Sequence, residues 1–577
     1  MTRNEKETSI KTTHKLQQPV VCLFMTLLAP AFAIGPPRIV ATPPADAGRG
    51  LIRISKTEIR HYPGKDGKQF LQSLDNGETW SLVDLPASYP NATCLTKESP
   101  AIARNPVTGE FIRFEPLFRG KNKNDGIYIT EGGIDGTWNL VRDQDGNGVK
   151  PGGILRSPLW VNNNKRIIIP GHGGGCWTWY SDDQGLTWNR SNKVQSPPHK
   201  VGGIHKGSRW NHGMVEATIV ELKNKTLWML ARTAQDQHYE SFSKDFGKTW
   251  SDAKPSRFWG TITMPSFHRL IDGRLLFLWS NTTSLPEVER IPKRGGEDVF
   301  TNRDTIHAAI SEDDGKTWIG FRELILDEYR NKENYAVTNG SNDRGKHQSE
   351  ILQLDKNRVL FSCGQHPIHR RLMVMDVRWL YQKGRITNLT KDGTLDWSTH
   401  QYIDKIAGHC GYNRKPGAQV EDGALRILRI EDPSLTNQNQ GATWTFPSGH
   451  TGKITIKIRL EKGGAGIQIA LTDRWFNPTD DTVDQLANYV LQIDKDGKTK
   501  DGQQLLTPGE THELALIWRD VDKKGPAFLK IDGRATDIKL PCKQPCPNGI
   551  SYVHFYNPAT ETDLKGFSVL NTHAQIK

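Results

Sequence analysis

One octapeptide pattern, S-x-D-x-G-x-T-W, recurs four times between Ser73 and Trp318 and sharply limits what this chain can fold into. The copies are Ser73–Trp80, Ser181–Trp188, Ser243–Trp250 and Ser311–Trp318, and a degenerate fifth ends in Asp135-Gly-Thr-Trp138. Successive tryptophans are 58, 50, 62 and 68 residues apart. Each interval is close to the length of one four-stranded propeller blade. The pattern encodes a tight turn: the aspartate hydrogen-bonds the backbone ahead of it, glycine accepts a positive φ, and tryptophan packs on a neighbour. It is a structural device rather than a reactive one.

A second repeat lies between the octapeptides, in which an apolar strand, a short polar turn and another apolar strand recur. Examples are Arg156-Ser-Pro-Leu-Trp with Arg166-Ile-Ile-Ile, Glu216-Ala-Thr-Ile-Val with Thr226-Leu-Trp-Met-Leu, and Ser349-Glu-Ile-Leu with Arg358-Val-Leu-Phe. With one more strand pair from Leu51 to Gln72, these inner hairpins give six blades, closed by pairing of the chain ends. Beyond Trp379 the composition changes. Alternating strands such as Lys453-Ile-Thr-Ile-Lys-Ile-Arg and His512-Glu-Leu-Ala-Leu-Ile-Trp occur without any octapeptide, and period-two alternation at this spacing predicts a β-sandwich. The expected organisation is all-β: a six-bladed β-propeller over residues 34–390, then a jelly-roll-like β-sandwich over 391–577.

The first 33 residues carry Arg3, Lys6, Lys11 and Lys15, an apolar run from Val20 to Leu28, and Ala31-Phe32-Ala33. That order predicts a signal peptide cleaved near Ala33 and a secreted or periplasmic protein; the apolar run is too short to span a bilayer. The formal charge is +12, or +10 once the four basic and two acidic residues of this segment are removed. The basic residues are scattered rather than clustered, which argues against nucleic acid and is compatible with an acidic glycan. No Cys or His cluster has convincing metal spacing. No cofactor is expected, although a structural calcium in a loop is compatible. Cys542 and Cys546 are close enough in sequence to form a small loop disulfide.

The octapeptide resembles the Asp-box, or BNR repeat, of sialidase-like propellers, where it joins the outer two strands of a blade, away from the active site. The resemblance therefore takes every box aspartate out of the catalytic candidates. The C-terminal strands resemble a concanavalin or laminin-G type jelly roll. In a propeller, the start of each first strand and the end of each second strand face one mouth. The hairpins would gather Glu98, Arg156, His172, Glu216, Asn281, Arg232, Glu350 and His366 there, with Arg53 or Arg49 from the first blade.

The stretch Val215–Arg232, followed by the box at Ser243, looks like the sialidase blade in which a glutamate opens the inner strand and an arginine ends its partner. Sialidase substrates carry a carboxylate at the anomeric carbon, which arginines hold bidentately and which repels a carboxylate nucleophile. The resemblance implies a tyrosine nucleophile activated by a glutamate, with a second acid protonating the leaving group. Glu216 would be the nucleophile's partner, Tyr335 the nucleophile, and Glu350 and His172 further catalytic candidates. Arg232, Arg53, Arg156, Glu98, His212, His366 and Arg344 would hold substrate, with Arg303 an alternative third arginine. The chain departs from the family at Arg38-Ile-Val and Arg53-Ile-Ser, where sialidases carry Arg-Ile-Pro.

These residues support an exo-acting glycoside hydrolase that removes terminal acidic sugars. The histidines support a second reading, a propeller lyase or related glycosidase acting on uronate polysaccharides, in which arginine neutralises the uronate and His or Tyr removes the adjacent proton. A third is a non-catalytic glycan binder using Trp160, Trp177, Trp179, Trp210 or Trp228 as platforms.

Overall fold

The computed structural model describes residues 34–44, 47–63, 68–85, 102–115, 126–149, 156–200, 209, 213–260, 262–284, 303–325, 330–332, 346, 348–364, 370–407 and 411–577. Among them are six four-stranded antiparallel sheets. The first four-stranded sheet in chain order holds Ala47–Arg53, Ile59–Pro63, Gln69–Ser73 and Ser81–Asp84, and four more follow in strict sequence order. The sixth breaks that order: Glu350–Gln353, Arg358–Cys363 and Arg371–Asp376 are completed by Arg38–Ala41 from the start of the described chain, with Arg38 opposite Val374. This is the six-bladed propeller expected from the repeats, and its ring is closed by the first and last strands of the propeller segment.

The boxes hold the blades together as well as turning the chain. In the third box, Asp245 Oδ1 accepts from the Thr249 N–H (2.9 Å) and from Ser243 Oγ (2.8 Å), while Oδ2 accepts from Thr249 Oγ1 (2.6 Å). Gly315 shows why the fourth box needs glycine. Its φ is +87°, and a Cβ there would lie 2.6 Å from the Trp228 ring of the preceding blade. Gly77 of the first blade faces Leu354 of the sixth, so the same contact runs across the closure. In the degenerate copy, Asp135 instead takes a bidentate pair of hydrogen bonds from Arg60 of the blade before (2.6 and 2.8 Å).

The chain then builds two sheets around one apolar core. One contains Gly452–Leu460, Thr511–Trp518, Ala527–Ile531 and the long Asp563–Ile576; the other has Gly441–Gly449 and Ile550–Tyr556 near its centre. Trp397, Trp444 and Trp518 are fully buried with Ile454, Ile456 and Ile458 from the alternate positions of one strand, the face expected from the period-two pattern. The strand Gly384–Ile386 pairs with Asp563–Ile576, so the crossing into the sandwich precedes residue 390.

Propeller and sandwich belong to one compact unit, Pro36–Lys577. Their seam is polar: Arg257 Nε donates to Asn548 Oδ1 (2.6 Å), Trp259 Nε1 donates to Asp473 Oδ2 (3.0 Å), and Thr282 bridges to Trp475. No helix among the described residues is long and apolar enough to cross a membrane. The proposed signal segment lies outside the described residues.

Partial burial raises the four box carboxylates, yet hydrogen bonds from the box threonine and serine prevail and hold each below the ordinary range. Their stabilisation is therefore complete above about pH 4 and is lost as pH falls through the depressed folded-state values. Asp245→Ala is expected to cost on the order of 2 kcal/mol in denaturant melts, and Asp245→Asn to weaken the acid dependence of those melts.

Candidate active site

The fourth blade places a glutamate and an arginine at the end of the propeller opposite the boxes. Val215 pairs with Arg232 and Thr218 with Leu230, so the first strand carries one extra residue between them, and Glu216 sits in that bulge at φ +54°. A left-handed glutamate is strained. Bulges re-aim side chains, and this one brings Glu216 Oε2 to 2.8 Å from Arg232 Nη1 in an ion pair that lacks hydrogen-bond alignment. Both residues are 9% exposed.

Three further basic residues act electrostatically on Glu216. His172 ends its strand Arg166–His172, Arg303 precedes the fifth blade's third strand, and Arg156 enters the third blade. Burial raises the Glu216 carboxyl, but Arg232, His172, Arg303 and Arg156, in that order, outweigh it and keep Glu216 below the ordinary carboxylate range. Glu216 is thus an anion at neutral pH. Burial in turn lowers the Arg156 guanidinium, opposed by Glu350 and Glu216.

Arg156 spans the axis. Nη1 donates to Ser266 Oγ (3.1 Å) and Nη2 to the Pro265 carbonyl, while Ser266 Oγ donates on to the Ser349 carbonyl (2.9 Å). Arg156 ties blade three to blade five, and Ser266 carries the tie on to blade six. Glu350 opens the first strand of blade six, with its N–H donating to Ser362 Oγ (3.3 Å). A cavity of about 150 Å³ between Arg156, Thr218, Ser266 and Glu350 marks the axial channel.

Of the residues singled out in the sequence, Glu216, Arg232, His172, Arg156 and Glu350 come together at this end. Arg53 does not. It ends a first strand rather than a second, and its guanidinium donates to Asn76 Oδ1 of the first box (2.9 Å) and to the Gln353 carbonyl (3.0 Å). It belongs to the box face and is removed from the substrate-binding set. Asn281 reaches the expected end of its strand, but Nδ2 donates to the Asp473 carbonyl (2.9 Å) in the sandwich. Glu98, His212, Tyr335, Arg344 and His366 lie outside the described residues, as does the Arg49 side chain.

Arg370 and His61, between blades six and one, carried no sequence signal. Burial and Arg370 push His61 down to about 3, so its imidazole stays neutral. The aromatic platforms suggested by the sequence are largely occupied: Trp228 is buried against Phe267 and Trp318, and the Arg190 guanidinium lies 5.2 Å over Trp177 and 5.9 Å over Trp179. Among the described residues no group of three or more His, Cys, Asp or Glu is placed to hold a metal ion.

Six four-stranded blades, with the octapeptide boxes at the end away from Glu216 and Arg232, define an Asp-box β-propeller. Residues 130–343 match the family model described as a BNR repeat-like domain, in agreement with the boxes themselves. Solved structures with similar folds include a Dyadobacter fermentans protein of unknown function (18% identity, 60% of this chain and 99% of that one, TM-score 0.38). Trypanosoma rangeli sialidase is another (13% identity, 94% and 92% of the two chains, TM-score 0.34), as is NanB in complex with Optactamide (13% identity, 60% and 71%, TM-score 0.34). Comparison with curated proteins returned no match.

Glu216→Ala leaves Arg232 buried without its nearest counterion and is expected to cost about 3–5 kcal/mol. Because of the positive φ, Glu216→Gly should be more stable than Glu216→Ala by about 1 kcal/mol. Chemical denaturation of the three proteins side by side checks both.

Proposed function

We propose that this protein is an exo-acting glycoside hydrolase that removes terminal acidic sugars from glycans. The observation that carries this reading is the buried Glu216–Arg232 ion pair, on which His172, Arg303 and Arg156 also act electrostatically. A mouth with surplus positive charge in a low-dielectric site favours a ligand bearing a carboxylate. Arg232 and Arg303 are the arginines we assign to it; Arg156 is engaged with Ser266 and Pro265 and acts as a brace. Glu216, anionic and paired, suits the task of polarising a hydroxyl nucleophile rather than attacking an already anionic substrate. Glu350, which opens blade six and lines the same cavity as Arg156, is our candidate for the second carboxyl function. The N-terminal order of charge, apolar run and Ala31-Phe32-Ala33 supports export.

His172 beside Glu216 favours one alternative, a lyase acting on uronate polysaccharides, in which a neutral imidazole takes the proton next to the arginine-neutralised carboxylate. The products separate the two. Incubation with sialosides and with uronate polysaccharides, following both reducing sugar and ultraviolet absorbance, should give saturated sugar without new absorbance; an unsaturated product overturns the hydrolase reading. Glu216→Gln is expected to lower turnover at least about a hundredfold while glycan binding, measured by calorimetry, persists.

A further inference from the structure

Arg303 is tied to the mouth end of the fourth blade through Ile262, whose N–H donates to the Thr233 carbonyl beside Arg232 (3.0 Å), and the residue after it meets the sandwich. Arg303 donates from Nε and Nη2 to the Ile262 carbonyl (3.2 and 3.0 Å), and its own carbonyl accepts from the Lys346 N–H (2.8 Å). Asp304 Oδ1 accepts from Arg414 Nη2 (2.5 Å) and Oδ2 from Tyr402 OH (2.5 Å), with His400 Nε2 at 3.8 Å. All three partners come from the C-terminal part of the chain, and Tyr402 and His400 are each only 1% exposed.

The same segment is fastened again at its far end. The Asn281 N–H donates to His307 Nδ1 (3.0 Å), which puts the imidazole proton on Nε2, 2.5 Å from Tyr552 OH. Tyr552 OH donates to Glu323 Oε1 (2.8 Å), Glu323 pairs with Arg330, and the Arg330 carbonyl accepts from Arg414 Nη1 (2.9 Å). The circuit from Arg414 through Asp304 and back through His307, Tyr552, Glu323 and Arg330 therefore fixes both ends of residues 304–307, which directly follow Arg303.

Burying this many charged and hydroxyl groups is an expensive way merely to dock two β-structures, since apolar residues of the same volume hold as well or better. What a fully connected polar network supplies is position. We propose that the sandwich is a working part of the mouth: Tyr402 and Arg414, by holding Asp304, set the place of Arg303 beside Glu216. They are positioning residues. This rests on the assignment of Arg303 to the substrate carboxylate made above.

The test uses the full chain and the substitutions Tyr402→Phe, Arg414→Lys, Arg303→Lys and the double variant Tyr402→Phe/Arg303→Lys. The first readout is the titration of Glu216 by carboxyl ¹³C NMR, assigned with Glu216→Gln. Glu216 contacts Arg232 and is held down by the charges of Arg232, His172, Arg303 and Arg156, so a displaced Arg303 moves its titration to higher pH. The second is KM and kcat on an aryl sialoside.

Tyr402→Phe and Arg414→Lys are expected to raise the Glu216 titration and to raise KM about tenfold, with kcat within about twofold. The double variant should be no worse than Arg303→Lys alone. A Glu216 titration unchanged in both folded single variants, or effects that add in the double variant, overturns the proposal. If Tyr402→Phe does not fold, Arg414→Lys, which keeps the charge, decides by the same titration. Should the parent protein not turn over the sialoside, the hydrolase reading fails by itself, and the titration still decides whether the sandwich positions Arg303.

Discussion

Charge balance at the axis is the constraint from which the site follows. Six inner strands converge on a space with room for few side chains, and this propeller fills it with guanidinium groups. Arg156, Arg232 and Arg303 are all nearly inaccessible to solvent, and an isolated cation in that setting is prohibitively costly. Glu216 answers this, at the cost of a left-handed backbone in a bulge. Its carboxylate is close to Arg232 and within the field of the other two arginines. A regular strand would turn the side chain at this position elsewhere.

Arg156 and Arg232 divide the work of holding that charge. Arg156 is consumed by the scaffold, tying blades three, five and six through Ser266 and Pro265. Arg232 lies against Glu216 on the neighbouring strand of the same blade, so strand register brings the two together. Arg303 belongs to neither pattern. It sits outside the regular strands and takes its place from what lies on both sides of it, including the sandwich.

The sequence made the propeller legible because its signals are local. A box aspartate, its threonine and its glycine lie within a few residues of one another, and the inner hairpins repeat between boxes. The same locality revealed Glu216 and Arg232, at the start of one strand and the end of the next. Arg53 was misplaced because it ends a first strand, and strand direction puts that end at the boxes. The roles of Tyr402 and Arg414 could not be read, since each meets Asp304 from about a hundred residues away in sequence and neither lies in a repeated pattern. The strand Gly384–Ile386 was likewise hidden, its partner being at the far end of the chain.

The closure of the ring sets an order of events during synthesis. The outermost strand of the sixth blade, Arg38–Ala41, is made early, whereas the strand it pairs with ends at Asp376. At ordinary translation speeds, roughly 5–20 residues per second, the two are separated by tens of seconds. Throughout that interval the early strand is an unpaired edge, the kind of surface on which chains aggregate. The residues around it suit a long wait: Pro36 and Pro37 stand directly before it, and Arg38 opens it. These features blunt an edge that will have no neighbour until nearly all of the propeller has been made, so they serve the nascent chain as much as the finished blade.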